Sequence, residues 1–401
     1  MSRSALGSFM KLSRDHSNVV VLALCQALFM TGQSMIVILS GLVGAALAEN
    51  KALATLPITV IIIATALATI PASLLMKRVG RKPGFMLGAT FAIIGGSIAS
   101  YSIYHASFWG FVMGTMTIGV YGGFAQYYRF AAADVAEADF KSTAISLVIS
   151  GGIIAAFTGP TLANYTFDIH VVPFFGSFVS LAILAGLAIL MLSLLKIPRP
   201  DIHERARSGR PLKQIIRQPE LIGAVFVGMI GYGMMSLLMT ATPLAMVGHG
   251  YMVHDASFVI QWHLVAMFGP AFVTGTLINR YGVMKVLMTG TILLFVAIAA
   301  ALAGETVRHF WTALFALGLG WNFTFIGASY LLTETYQPDE RAKVQAFNDF
   351  LVFGFVALCS LTSGTLFHFF NWTTINHVAI PIIAMASIVV IMMARRRRKL
   401  A

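Results

Sequence analysis

Charge is what this chain has least of. Only 10% of its 401 residues are Asp, Glu, Lys or Arg, where a soluble domain carries about a quarter, so an ordinary water-soluble fold is excluded. Cysteine is nearly absent: Cys25 and Cys359 both lie inside apolar runs, which excludes a disulfide framework. No polar stretch is long enough for a nucleotide-binding domain, so direct ATP drive is excluded as well. Ser-His-Asp, paired-carboxylate and phosphate-cradling glycine motifs are missing in any convincing context. Chemistry on a substrate is therefore not expected, and neither is a cofactor. His249, His254 and Asp255 cluster in one loop but lack a fourth ligand, so no metal site is assigned. The first apolar run spans about thirty residues, far beyond the short core of a removable signal. It is expected to act as its own targeting segment.

What the chain has in abundance is apolar sequence, 58% of all residues. A helix needs about 20 apolar residues to cross the hydrocarbon core. Twelve such runs occur, at 18–47, 52–76, 84–104, 107–131, 142–165, 172–195, 221–247, 257–279, 284–303, 309–332, 344–368 and 374–394. The expected fold is all-α and integral to the membrane, with twelve transmembrane helices in two six-helix pseudo-symmetric halves. The bundles cover 1–195 and 220–401, and a basic linker, 196–219, joins them.

An internal duplication supports the two halves. Arg78 and Gly80 in the turn after span 2 return as Arg280 and Gly282, and Asp134 followed by Lys141 returns as Glu334 followed by Arg341. The net charge of +12 has a topological explanation rather than a nucleic-acid one. With both termini cytoplasmic, 25 of the 27 Lys and Arg residues fall on that side and only Lys51 and Arg308 outside, as the positive-inside rule requires. The linker residues Lys196, Arg199, Arg205, Arg207, Arg210, Lys213 and Arg217, with the tail Arg395 to Lys399, read as topology anchors that touch anionic lipid headgroups.

Polar groups inside a span must face protein or a water-filled cavity. Span 1 carries Gln26 and Gln33, span 4 Tyr121 and Gln126, span 7 Tyr232, span 8 Trp262 and span 10 Trp321 and Asn322. These eight are the expected substrate contacts, although each alone is more often a helix-helix hydrogen bond or filler. All fifteen acids lie in loops or within about two turns of a run's end, so an obvious mid-membrane carboxylate relay is missing. Asp349 is the deepest. Arg78, Arg129, Asp134, Lys141, Glu334, Arg341 and Asp349 are expected at the cytoplasmic ends, as an ion-pair gate or as charges that only set topology. Proton-coupling candidates are Asp349 and His263, the latter because imidazole titrates near neutrality.

The chain resembles the major facilitator superfamily of secondary transporters over its whole length. The family's turn after span 2, Gly-x3-Asp-Arg-x-Gly-Arg-Arg/Lys, is matched by Ser73, Lys77, Arg78, Gly80, Arg81 and Lys82. Four of six places agree, and Lys77 replaces the acid. The family's Arg in mid span 4 is not present near Gly114, and its span 5 antiporter signature is only partial, as Ala155-x3-Gly159-Pro160-x2-Ala163. The resemblance implies alternating access, with helices 1, 4, 7 and 10 lining the site. The expected function is movement of a small organic, amphipathic or aromatic solute across a cytoplasmic-type (inner) membrane. Proton-coupled export of drug-like or metabolite molecules is preferred, and import of a vitamin- or siderophore-like compound is the alternative. A non-transporting receptor or scaffold is the rival of another class. Partners are the solute, membrane lipid and a coupling proton, with no nucleic acid and a monomeric chain.

Overall fold

In lipid a backbone N–H or C=O has no water to bond, so the chain must satisfy these groups within each span. The computed structural model, which describes residues 3–50, 53, 56–198 and 209–400, answers with helices throughout. The side chains of residues 3–15 and of His254 lie outside the description, as do Lys51 and the linker residues Arg199, Arg205 and Arg207.

Two compact units partition the chain: Met1–Ser208 with Gln345–Phe350, and Gly209–Val344 with Leu351–Ala401. The first unit holds α1 (Arg3–Leu47), α2 (Leu56–Val79), α3 (Arg81–Tyr104), α4 (Phe108–Ala125), α5 (Tyr128–Val135), α6 (Lys141–Thr166) and α7 (Phe175–Ser193). The short α8 (Leu212–Ile215) opens the second, followed by α9 (Pro219–Gly248), α10 (Val253–Phe268), α11 (Ala271–Tyr281), α12 (Val283–Leu302) and α13 (Val307–Thr333). Then come α14 (Arg341–Phe369), whose Gln345–Phe350 segment belongs to the first unit, and α15 (Trp372–Leu400). Among the described residues eleven stretches are long and apolar enough to cross a membrane. The expected fourth span is α4, followed after a break at Gln126 and Tyr127 by α5, and the eighth is α10 with α11, broken at Gly269 and Pro270.

Inside the first unit α3 packs on α4 and α7, α2 on α4, and α1 on α6. The second unit repeats three of these pairings, with α12 on α13 and α15 and α10 on α13. The duplication legible in sequence is thus also a duplication of packing. Small residues permit the closest of these approaches: a Cβ on Gly114 would stand 2.7 Å from the Ala99 nitrogen of α3. Both copies of the basic turn end on a left-handed glycine, Gly80 at φ 97° and Gly282 at φ 86°, a conformation open to glycine and strained for other residues. Each glycine lets one helix stop and the next start without a loop.

The twelfth span differs from its expected end at 394. Helix α15 continues through Arg395 to Lys399, because Arg and Lys are good helix formers and cations suit a helix C-terminus.

Candidate functional site

Three groups of side chains carry the chemistry, and each lies within one unit.

The first occupies the basic end of the first unit. The break between α4 and α5 frees the Gln126 carbonyl, which accepts from Arg129 Nη1 at 2.8 Å, while Gln126 Oε1 accepts from the same nitrogen at 3.2 Å. Thus anchored, Arg129 stands 4.4 Å from the Phe130 ring centroid and donates through Nη2 to Asp349 Oδ1 at 2.6 Å. Side-chain exposures of 4% and 0% make this a buried ion pair. Asn348 Nδ2 also donates to Asp349 Oδ1, at 2.8 Å, whereas Asp349 Oδ2 is buried with no hydrogen-bond partner among the described residues. A second pair lies alongside: Arg81 Nη2 reaches Asp134 Oδ2 at 2.8 Å and Gln345 Oε1 at 2.6 Å.

Of the seven expected gate residues, this group brings together Arg129, Asp134 and Asp349. Arg78 is exposed, with no ion-pair partner among the described residues, and its expected place is taken by Arg81. The reason is the turn at Gly80: α2 ends one residue earlier, so Arg78 and Arg81 sit on different helices. Asp134 pairs with Arg81 and not with Lys141. Glu334 belongs to the second unit, where it accepts from Arg397 Nη2 at 2.6 Å. Arg341 begins α14, half-buried in that same unit.

The second group is a small cavity in the first unit, about 20 Å³, between α1, α3, α4 and α7. Gln33, Tyr121, Phe29 and Ile118 line it. That volume holds about one water and no organic solute. Tyr121 is buried, edge-on to Phe29 at 5.2 Å and 3.3 Å from the Tyr128 hydroxyl. Gln26 is half-buried elsewhere on α1.

The third group is an aromatic cluster in the second unit. Trp321 and Phe325, one turn apart on α13, stack with centroids 5.1 Å apart at 17°. Tyr232 of α9 meets both edge-on, at 5.3 Å and 5.0 Å, Phe268 of α10 meets Trp321 at 5.6 Å, and Phe353 of α14 meets Tyr232 at 5.5 Å. Trp321 is 2% exposed, and its indole Nε1 has no acceptor among the described residues.

Two expected site residues, the solute contact Asn322 and the proton-coupling candidate His263, bond to the backbone of neighbouring helices. Asn322 is fully buried; its Nδ2 donates to the Met267 carbonyl at 2.6 Å and its Oδ1 accepts from Thr274 Oγ1 at 2.6 Å. Those partners flank the Gly269-Pro270 break, so Asn322 fastens α10 to α11 where proline removes a backbone donor. His263 is fully buried, with Nδ1 2.6 Å from the Leu314 carbonyl; because a carbonyl only accepts, Nδ1 carries the proton and this imidazole joins α10 to α13. Trp262 is 41% exposed, beside Phe258 and Trp311. Among the described residues no group of His, Cys, Asp and Glu is placed to hold a metal, and His249 Nε2 instead meets Glu305 Oε2 at 2.9 Å.

One further site was not legible in sequence. Glu340, fully buried, accepts from the Arg210 amide at 2.9 Å, from Arg210 Nε at 2.7 Å and Nη2 at 2.6 Å, and from the Gln337 amide at 3.1 Å. Arg210 holds its carboxyl down to about 2. The end of the linker is thereby clasped to the second unit.

Bundles of apolar spans and a packing pattern repeated in each half define a multi-pass α-helical membrane protein. The model of the Major Facilitator Superfamily matches residues 22–271 and 225–401, and the chain belongs to that superfamily of secondary transporters. It is 44% identical over 378 residues to the riboflavin transporter RfnT of Brucella anthropi, covering 94% of this chain and 95% of the relative. It is 30% identical to the uncharacterized MFS-type transporter YdeG of Bacillus subtilis, over 72% of this chain and 70% of that one. Among solved structures, a variant of the E. coli fucose:proton symporter FucP superposes with TM-score 0.76 at 18% identity, covering 94% of this chain and 98% of FucP. The human organic anion transporter MFSD10 does so with TM-score 0.74 at 11% identity, covering 94% and 99%. These two show the fold.

Proposed function

We propose that this chain carries riboflavin, or a solute sharing its isoalloxazine ring, into the cell by alternating access. The observation that carries the reading is the 44% identity to a riboflavin transporter across 94% of the chain. It raises the vitamin importer above the drug exporter, for which the partial Gly159-Pro160 signature is the support. The aromatic cluster of the second unit is chemically suited to such a solute, since planar rings pack well on Trp, Tyr and Phe.

On the same proposal, the pairs Arg129 with Asp349 and Arg81 with Asp134 form a latch. Arg129 with Asp349 ties the start of α14 to α5, the bond from Arg81 to Gln345 ties it to α3, and Arg81 with Asp134 braces α3 on α5 in one state of the cycle; the other state releases them. The membrane is of the bacterial inner type with both termini on the basic side, and exposed Arg395, Arg398 and Lys399 meet anionic headgroups.

The test is expression in a bacterial strain that neither makes riboflavin nor takes it up. Growth on low external riboflavin is the expected result; no growth, with the protein present in the membrane, overturns the reading. Riboflavin flux into proteoliposomes, with and without a pH gradient, then reports whether a proton is coupled.

A further inference from the structure

A buried hydrogen-bond donor without an acceptor is rare in folded proteins and calls for a cause. Trp321 Nε1 is such a donor, and it sits inside a cluster whose other members are all rings. Phe268, Phe325 and Phe353 are at most 5% exposed, and Tyr232 is the half-buried ring at the rim. No ring of the cluster is ionised at neutral pH, so the group that completes it is uncharged. The donor is neutral and the walls are π faces, so the matching ligand is a planar heteroaromatic ring bearing a carbonyl oxygen. A polyol would leave these walls unmatched.

Resting on the riboflavin reading, we infer that the cluster of Tyr232, Phe268, Trp321 and Phe325 seats the isoalloxazine ring, with the Trp321 indole N–H donating to a ring carbonyl. Tyr232 lies edge-on across the stacked Trp321 and Phe325 rings and moves aside as the ligand enters. Trp321 Nε1 has no acceptor among the described residues, so the new bond replaces no bond within them. Its contribution to affinity is therefore close to that of a full buried hydrogen bond. The ribityl chain is recognised by other residues, and the cluster discriminates by ring alone.

The experiment uses the full chain purified in detergent and follows quenching of flavin fluorescence on binding. The probes are riboflavin, lumiflavin (the isoalloxazine without the polyol) and ribitol. Trp321→Phe keeps an aromatic ring and removes the N–H; it is expected to bind riboflavin and lumiflavin about tenfold more weakly, the worth of one such bond. Trp311→Phe is the control. It removes another unpartnered indole N–H on α13, one stacked on Phe315 outside the cluster, and is expected to bind as wild type does. Lumiflavin is expected to displace riboflavin, and ribitol is not. If Trp321→Phe binds both flavins like wild type, the inference is overturned and the riboflavin reading stands. If wild type binds neither flavin, both are overturned. Should Trp321→Phe fail to fold, the competition on wild type decides: displacement by ribitol and not by lumiflavin overturns the inference.

Discussion

Removing one member of the buried Arg129 and Asp349 pair should cost more than removing both. Breaking a buried ion pair from one side typically costs about 3–5 kcal/mol, because the remaining charge is stranded. The two sides are not equivalent here. Without Asp349, Arg129 keeps the Gln126 carbonyl at 2.8 Å, Gln126 Oε1 at 3.2 Å and the Phe130 ring at 4.4 Å, so Asp349→Asn belongs near the lower figure, about 3 kcal/mol. Without Arg129, Asp349 keeps, among the described residues, only Asn348 Nδ2 at 2.8 Å, and Oδ2 has no partner there; Arg129→Met belongs near about 5 kcal/mol. The double variant Arg129→Met with Asp349→Leu strands no charge, and should return to within about 1–2 kcal/mol of wild type. Thermal unfolding in detergent reads this as an apparent Tm lowered by several degrees in each single variant and largely restored in the double. Flux in proteoliposomes separates stability from function: the restored double variant should still transport abnormally, because its latch is gone. Single-variant losses that simply add in the double would refute the coupling. A double variant with wild-type flux would refute the latch.

Glu340→Gln should release the linker end, raising hydrogen exchange at the Arg210 amide now bonded to Glu340 Oε1. Because the folded carboxyl lies at about 2 against an ordinary 4.5, the wild-type clasp should be complete above pH 4.5 and weaken only as pH falls toward 2; equal exchange in variant and wild type at pH 7 would contradict the clasp. Asn322→Leu strands the Met267 carbonyl at the α10–α11 break and should destabilise the chain by about 2–3 kcal/mol, read as a lower apparent Tm. Gly80→Ala forces a side chain into φ 97°, and about 1–3 kcal/mol of strain should appear as lower folded yield and lower Tm; an unchanged Tm would show that the turn tolerates other backbone angles.

The sequence by itself determined the membrane class, the twelve spans and the duplicated halves, because lipid imposes a simple rule on every residue of a span and a repeat leaves matched landmarks. It also exposed Asp349 as the deepest acid and Arg129 as a charge beside a helix end. Which charges meet was decided only in three dimensions. Arg81 reaches Asp134 and Gln345 although Arg78 holds the more conspicuous motif position, since the left-handed Gly80 starts a new helix between them. Asn322 read as a solute contact, and the partners its amide bonds at the α10–α11 break, Met267 and Thr274, lie about fifty residues away in sequence. Glu340 read as one more loop acid, because its burial depends on a linker arginine 130 positions earlier. The aromatic cluster draws its rings from four helices. Span periodicity marks each ring as apolar, but it is packing that stacks Trp321 on Phe325, sets Tyr232 edge-on to both and leaves the Trp321 N–H without an acceptor among the described residues.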